Sequence, residues 1–245
     1  MERLKDKVMI ITGAAQGMGK VHAECAIDEG AKVVITDINE EKGLQVAEQL
    51  GEHALFIQHN VADEEDWKRV IKQTVDQWGR IDVLVNNAGI TYNKKIDDVS
   101  LDDYMKIVNI NQVSVFLGIK YVSEIMKAQN SGAIINVSSM NGLVGGAIGY
   151  TDTKFAVRGM TKAAARELSP FNITVNSVHP GVIHTPMLEQ PGVKEAVEKF
   201  KQTIPVRRVA QPEEVSHMII FLASDEARYS TGSEFVIDGG VTSTV

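Results

Sequence analysis

The chain has 245 residues, a length that suits one α/β domain and lets it bury a core without disulfides or metal. Lys and Arg total 25 against 32 Asp and Glu, a net charge of −7, which argues against a nucleic-acid binder. The single cysteine, Cys25, excludes an internal disulfide framework and a cysteine-rich zinc site, and no metal is expected.

The first element is Val8–Ile11, a continuous apolar run typical of a strand buried on both faces. It is too short for the core of a signal peptide, and no apolar run approaches the ~20 residues of a membrane helix. A cytoplasmic protein that does not enter the membrane is expected. A helix is predicted over Gly17–Glu29, then a strand over Lys32–Thr36. A helix over Glu40–Leu50 follows, with Asn39 as its cap, and then a weaker strand between His53 and His59. The next helix spans Glu64–Trp78, capped by Asp63 and acidic in its first turn. Strands at Ile81–Val85 and Ala133–Val137 flank one long mixed helical segment, Leu101–Ala128. Tyr150–Leu168 reads as a helix ended by Pro170, and Ile173–Val178 as a strand. Pro212 opens a last helix to Ala223, and Glu234–Ile237 is a second weak strand.

This alternation predicts right-handed βαβ units on a parallel sheet, in a single domain. The stretch from His179 to Gln211 breaks the rhythm, with four prolines around one short helical pattern, Val193–Lys201. Irregular segments of ~30 residues in compact domains usually form lids or binding loops, so a substrate lid is expected at about 182–211. Its apolar set is Ile183, Met187, Leu188, Val193, Val197 and Phe200, which suits an uncharged ligand or the packing of a short helix.

Five motifs carry chemistry. Thr12-Gly13-Ala14-Ala15-Gln16-Gly17-Met18-Gly19 joins the first strand to the first helix. Glycine allows a tight turn and close approach to phosphate, and a helix N-terminus offers free N–H groups to a pyrophosphate. The spacing is Gly-x3-Gly-x-Gly, not the commoner Gly-x-Gly-x2-Gly. Asp37 ends the second strand, 18 residues beyond Gly19. An acid there binds ribose hydroxyls and repels a 2′-phosphate, which favours NAD over NADP. No arginine stands at Ala14, Ala15, Ile38 or Asn39 to receive that phosphate. Asn86-Asn87-Ala88-Gly89 ends a strand and leaves room for a ligand, or is a plain turn. Asn136-Val137-Ser138-Ser139 offers a hydroxyl to a substrate oxygen, or is strand-end turn chemistry. Tyr150 and Lys154 share a helix face at i,i+4. A nearby cation lowers a phenol from its usual pKa of ~10 toward useful acid–base chemistry, although Tyr-x3-Lys also fits an ordinary helix start.

Taken together and in this order, the glycine motif, Asn86-Asn87-Ala88-Gly89, Asn111, Ser139, Tyr150-x3-Lys154 and His179-Pro180-Gly181 resemble the short-chain dehydrogenase/reductase family. The resemblance covers essentially the whole chain. It implies a Rossmann-like, doubly wound sheet of seven parallel strands with helices on both faces. It implies NAD(H)-dependent interconversion of a secondary alcohol and its ketone, with a steroid or other hydrophobic alcohol as substrate. Tyr150 would be the general acid in reduction and the general base in oxidation. Lys154 would hold the nicotinamide ribose and depress the tyrosine pKa. Ser139, rather than Ser138, would bind the substrate oxygen. Asn111, selected over Asn109 by the Gln112–Phe116 segment after it, would anchor a water that passes protons to Lys154. Cofactor contacts would come from Gly13, Gln16, Gly17, Met18, Gly19, Asp37 and Ile38. Asn60 and Val61 would flank the adenine, where the family more often has Asp at the first position. Asn87, Ala88 and Gly89 would line the adenosine side, and Pro180, Gly181, Ile183 and Thr185 the nicotinamide and its phosphate.

The resemblance also implies a homotetramer, paired through helices near Leu101 and Tyr150 and through the segment 238–245. The stretch Asn176–Met187 is similar to that of bacterial 3α(or 20β)-hydroxysteroid dehydrogenases. A 3-oxoacyl-carrier-protein reductase, a glucose 1-dehydrogenase and a non-catalytic dinucleotide sensor are the alternatives. Two features depart from the family pattern. The Ser139–Tyr150 gap is two residues short, which predicts a trimmed, glycine-rich rim, and Thr151-Asp152-Thr153 replaces small residues.

Overall fold

The computed structural model describes residues 2–92, 94–189 and 193–244. Seven strands form one sheet: β1 (Val8–Thr12), β2 (Lys32–Asp37), β3 (Ala54–Gln58), β4 (Val83–Asn86), β5 (Gly132–Val137), β6 (Ile173–Pro180) and β7 (Glu234–Ile237). Their order is β3-β2-β1-β4-β5-β6-β7, and every neighbouring pair is parallel. The helices are α1 (Gly17–Asp28), α2 (Glu40–Leu50), α3 (Glu64–Trp78), α4 (Leu101–Val108), α5 (Ser114–Gln129), α6 (Tyr150–Leu168), α7 (Val193–Lys201) and α8 (Pro212–Ala223).

The continuous apolar strands follow from helices on both faces. Side chains alternate across a strand, so each strand feeds two cores. Met9, Ile11, Val33, Ile35 and Val85 pack on the side of α1 and α8 with Ala23, Ala26, Val215 and Ile219. Ile10, Val34, Leu84 and Ile134 pack on the other side with Trp67, Val70, Leu117 and Val122 of α3 and α5. Trp67, His22 and Cys25 take ordinary structural places: the first two are buried in helix packing and the third is a half-buried free thiol. Among the described residues, no helix is long and apolar enough to cross a membrane.

Most strand and helix ends lie within two residues of the sequence reading, and three differences bear on the fold. The expected helix Leu101–Ala128 is two helices, α4 and α5, joined by a π turn over Asn109–Val113. Asn111 lies in that turn, and its amide pairs with the main chain of Ile90 in both directions, at 2.8 and 2.9 Å. The wider turn is what lets a helical residue meet a strand-end loop. The strand β6 continues two residues past Val178, because its far edge stays paired with β7 through Pro180↔Ile237. Residues Gly51–His53 form a 3-10 turn, and β3 starts at Ala54.

Strand order reverses between β1 and β4, whose following connections leave to opposite sides. Open α/β sheets bind ligands in the crevice at the carboxyl ends of such strands.

Candidate active site

A cleft of about 620 Å³ opens at the carboxyl ends of the strands, within the range of small-molecule sites. A hollow of about 790 Å³ lies at the opposite end of the sheet, beside Lys7, Arg80 and Arg228. Those three cations are paired with Asp225, Asp82 and Asp225, and none of the motif residues is near it.

At one end of the cleft, the β1–α1 turn is pressed against the end of β4. Gly13 has φ +66°, and a Cβ on it would lie 2.9 Å from Ala88 Cα. A Cβ on Gly19 would lie 2.4 Å from the Gly13 carbonyl. Thr12 Oγ1 accepts from the main-chain N–H groups of Asn87 and Ala88, both at 3.0 Å. The Asn87 amide donates to the carbonyls of Thr12 and Gly13, at 2.8 and 3.2 Å. Its Oδ1 is buried without a protein partner. The N-terminus of α1 has no side-chain cap, so its N–H groups remain available. Asp37 accepts from Ala15 N at 3.1 Å and Asn39 N at 3.0 Å, which fixes its carboxylate at the rim beside exposed Ile38. Uncapped N–H donors, a fixed carboxylate acceptor and an orphan amide-oxygen acceptor fit the phosphates and hydroxyls of a dinucleotide.

Asn60 lines the cleft, but its side-chain oxygen is turned back to the N–H of Ala62 at 3.1 Å. Val61 lines the cleft beside it. Gln16 also lines the cleft, and accepts from the Lys42 ammonium at 3.0 Å. Gly17, Met18, Gly89, Pro180, Gly181, Ile183 and Thr185 complete the walls that the sequence named.

At the other end stand Ser139, Tyr150 and Lys154. Ser139 is an extended residue two positions past β5, its hydroxyl accepts from Asn141 N at 3.1 Å, and it faces Tyr150, whose pKa it lowers. The neighbouring Ser138 hydroxyl turns away and donates to the carbonyl of Lys154 at 2.9 Å. Tyr150 begins α6, and Lys154, one turn on, holds its Nζ 5.6 Å from the phenol ring centre. The Lys154 ammonium donates to the carbonyl of Val137 at 2.8 Å. Burial pushes its pKa down to about 8.

The phenol does not follow the sequence reading. Burial pushes the Tyr150 pKa up, opposed only by the hydrogen bond from Ser139. Desolvation of the phenolate is the larger effect, and Lys154, whose ammonium is turned to the Val137 carbonyl, does not offset it. Asn111 stands behind the wall, wholly buried, while Asn109 is exposed. A Cβ on Gly89 would lie 3.4 Å from Asn111 Oδ1 and 3.5 Å from Lys154 Nζ, so Gly89 lets the chain pack against both.

Sequence reasoning missed His59, Ile90 and Ile110 in the walls, and named Leu188 only in the apolar set of the lid. His59 is buried beside Thr36 Oγ1 at 3.0 Å, and burial lowers its pKa to about 4. Its place just before Asn60 was the only signal. The side chains of Met187 and Val193, counted in the apolar lid set, lie outside the described residues.

A family model described as enoyl-(acyl carrier protein) reductase matches residues 13–242. The chain belongs to the short-chain dehydrogenase/reductase family. Members of this family use a nicotinamide dinucleotide, and the protein is an oxidoreductase of alcohols or ketones. The 3-alpha-(or 20-beta)-hydroxysteroid dehydrogenase of Mycobacterium tuberculosis is 45% identical over 97% of this chain and 90% of its own. The cyclopentanol dehydrogenase of Comamonas sp. is 45% identical over 99% of both chains. The crystal structure of gox2181 superposes with a TM-score of 0.93 at 31% identity, covering 99% of this short-chain dehydrogenase/reductase and 98% of that chain.

Proposed function

We propose that the protein is an NAD(H)-dependent dehydrogenase that interconverts a hydrophobic, cyclic secondary alcohol and its ketone. The observation that carries this reading is the meeting of Ser139, Tyr150 and the buried Lys154 ammonium in the wall of one cleft. When bound, the nicotinamide supplies or accepts the hydride. The chain's own residues orient the substrate and manage the proton. Ser139 and Tyr150 hydrogen-bond the substrate oxygen. Tyr150 gives its proton to a ketone, which its raised pKa favours at neutral pH, and takes one from an alcohol as pH rises. Lys154 supplies a positive charge beside the ribose and the phenol. Asn111 supports the site through Ile90 and Thr153, which engage its side-chain amide, so any part in proton passage falls to its main chain.

The substrate class follows from the walls. Ile90, Met140, Ala147, Val182 and Leu188 offer no charge. The names of the two relatives, a cyclopentanol and a hydroxysteroid dehydrogenase, agree with a cyclic alcohol. Residues 182–211 act as the lid. Self-assembly into a tetramer is part of the same proposal, supported by the exposed apolar residues Met105, Phe116 and Phe155 on α4, α5 and α6. Light scattering of the purified protein tests it.

One observation favours NADP instead: the Lys42 ammonium lies on the same rim as Asp37, held by Gln16. We take Asp37 as the stronger term, because its carboxylate is fixed where a 2′-phosphate would stand. The deciding experiment follows reduced cofactor formation from NAD⁺ or NADP⁺ over a panel of cyclopentanols, cyclohexanols and steroid alcohols, with Tyr150→Phe alongside. Turnover with NAD⁺ that the substitution removes is expected. Binding of NADH without turnover of any alcohol would move the sensor reading to first place.

A further inference from the structure

We propose that His179 is a positioning residue for the proton-transfer pair, because its ring holds the main-chain carbonyl of Ser139 and so sets where the Ser139 hydroxyl meets Tyr150. The proposal rests on the reading of Ser139 and Tyr150 given above.

The β5–β6 ladder ends just before the site. Val137 pairs with Val178, and Ser138 N donates to the Val178 carbonyl at 2.8 Å. Ser139 is the next residue, and its carbonyl has left the ladder. His179 fills that gap from the adjacent strand: Nδ1 lies 3.0 Å from the Ser139 oxygen. A carbonyl only accepts, so Nδ1 carries the hydrogen. In the neutral ring Nε2 then accepts, and the Ser177 hydroxyl is 2.9 Å from it. Both ring nitrogens are satisfied, and the residue is wholly buried.

The groups facing the ring come from three elements. Ser177 is on its own strand, Arg158 and Lys154 are on α6, and Glu234 is on β7. Glu234 is itself bound by Arg158 and Lys162, at 2.9 and 3.0 Å. Arg158 also donates to the Gly142 carbonyl at 2.7 Å. The loop that carries Ser139 is therefore tied at both ends, by His179 at its start and Arg158 at the end of its 3-10 turn. Proton-transfer groups must be held to within about 0.5 Å of productive geometry, and supporting hydrogen bonds of this kind hold them.

Two substitutions separate positioning from bulk. The amide N–H of His179→Asn falls where Nδ1–H stood, whereas His179→Gln reaches the Nε2 position and leaves the Ser139 carbonyl unpaired. Expected for H179Q is a fall in kcat of at least tenfold, with the NADH dissociation constant within twofold of wild type. Expected for H179N is a kcat within threefold of wild type. Equal kcat in the two variants, at either level, overturns the proposal. So does a parallel loss of NADH binding and activity in H179Q, which marks a merely structural role. Ultraviolet difference titration gives a readout that needs no substrate, with the Tyr150 signal identified through Tyr150→Phe. H179Q should move the Tyr150 titration upward, because the Ser139 hydrogen bond lowers it, and H179N should leave it in place. If no alcohol in the panel is turned over, the functional reading fails, and this titration alone decides the link between His179 and Tyr150. An unmoved titration in H179Q then overturns it.

Discussion

Lys154 donates to the carbonyl of Val137 at 2.8 Å from a position only 4% exposed. A buried ammonium is costly for the fold: a pKa lowered from 10.5 to about 8 corresponds to roughly 3 kcal/mol at neutral pH. The unfolded chain keeps that proton up to higher pH, so stability rises as pH passes from about 8 toward 10.5. Lys154→Met removes the charge and leaves the Val137 carbonyl unpaired, which costs about 1–3 kcal/mol. The net expectation is a Tm at pH 7 that is unchanged or higher by up to about 6 °C, with kcat down at least about 100-fold. Calorimetry and steady-state rates on one preparation check this, and a large fall in Tm contradicts it.

In the function proposed above, Asp37 sets the choice of cofactor. Asp37→Ser removes the carboxylate that faces the ribose, and NADH should bind about tenfold more weakly, a loss near 1.4 kcal/mol. NADPH should bind more tightly than to wild type, because the repulsion of its 2′-phosphate is gone. Fluorescence titration with both cofactors measures the two effects together, and an unchanged preference would shift the weight to Lys42.

Gly19 has no room for a methyl group. A Cβ would stand 2.4 Å from the Gly13 carbonyl and 2.6 Å from the Asn87 amide, and neither is a flexible chain end. Gly19→Ala should displace the β1–α1 turn at a cost of about 1–3 kcal/mol, and weaken NADH binding at least about tenfold. Ser139, Tyr150 and Lys154 should stay in place, so the comparison is NADH affinity against the Tyr150 titration.

Acid should unfold the protein early. His22 is wholly buried between α1 and α8, with Nδ1 2.7 Å from Ser216 Oγ and Nε2 without a partner. Burial pushes its pKa down to about 3, and that of His59 to about 4. Both are held neutral in the fold and gain a proton on unfolding below pH 6.5, so stability is full above that value and falls with pH toward about 4. From pH 6.5 to 5 the two together lose about 3 kcal/mol. Urea unfolding at pH 7 and 5 measures the fall, and His22→Asn should halve it.

Local signals and long-range pairings were not equally legible. The helices over Glu40–Leu50 and Glu64–Trp78 have the bounds their sequence predicts, because Asn39 and Asp63 cap them through their own side chains. Five strands were visible because burial on both faces makes each a continuous apolar run, whereas β3 and β7, at the sheet edges, are only partly buried and read weakly. The π turn was hidden, since five residues of altered winding leave the apolar period of the flanking helices intact. Tyr150 and Lys154 were placed on one face by spacing, but spacing says nothing about burial, which reverses the expected direction of the phenol's pKa. Pairings such as Arg158–Glu234, 76 residues apart, leave no mark in any local motif.

The π turn makes chain length part of the chemistry. Such a turn holds about one residue more than a regular helix needs, and each residue corresponds to roughly 100° of rotation. Deleting any one residue from Asn109 to Val113 would join α4 and α5 into an unbroken, better-bonded helix. The same deletion would swing Asn111 off Ile90, and with it the wall on which Gly89 and Lys154 rest. An aligner would score that gap as harmless and a helix-propensity scale would score it as an improvement, yet the extra residue is what aims the helix at the cleft.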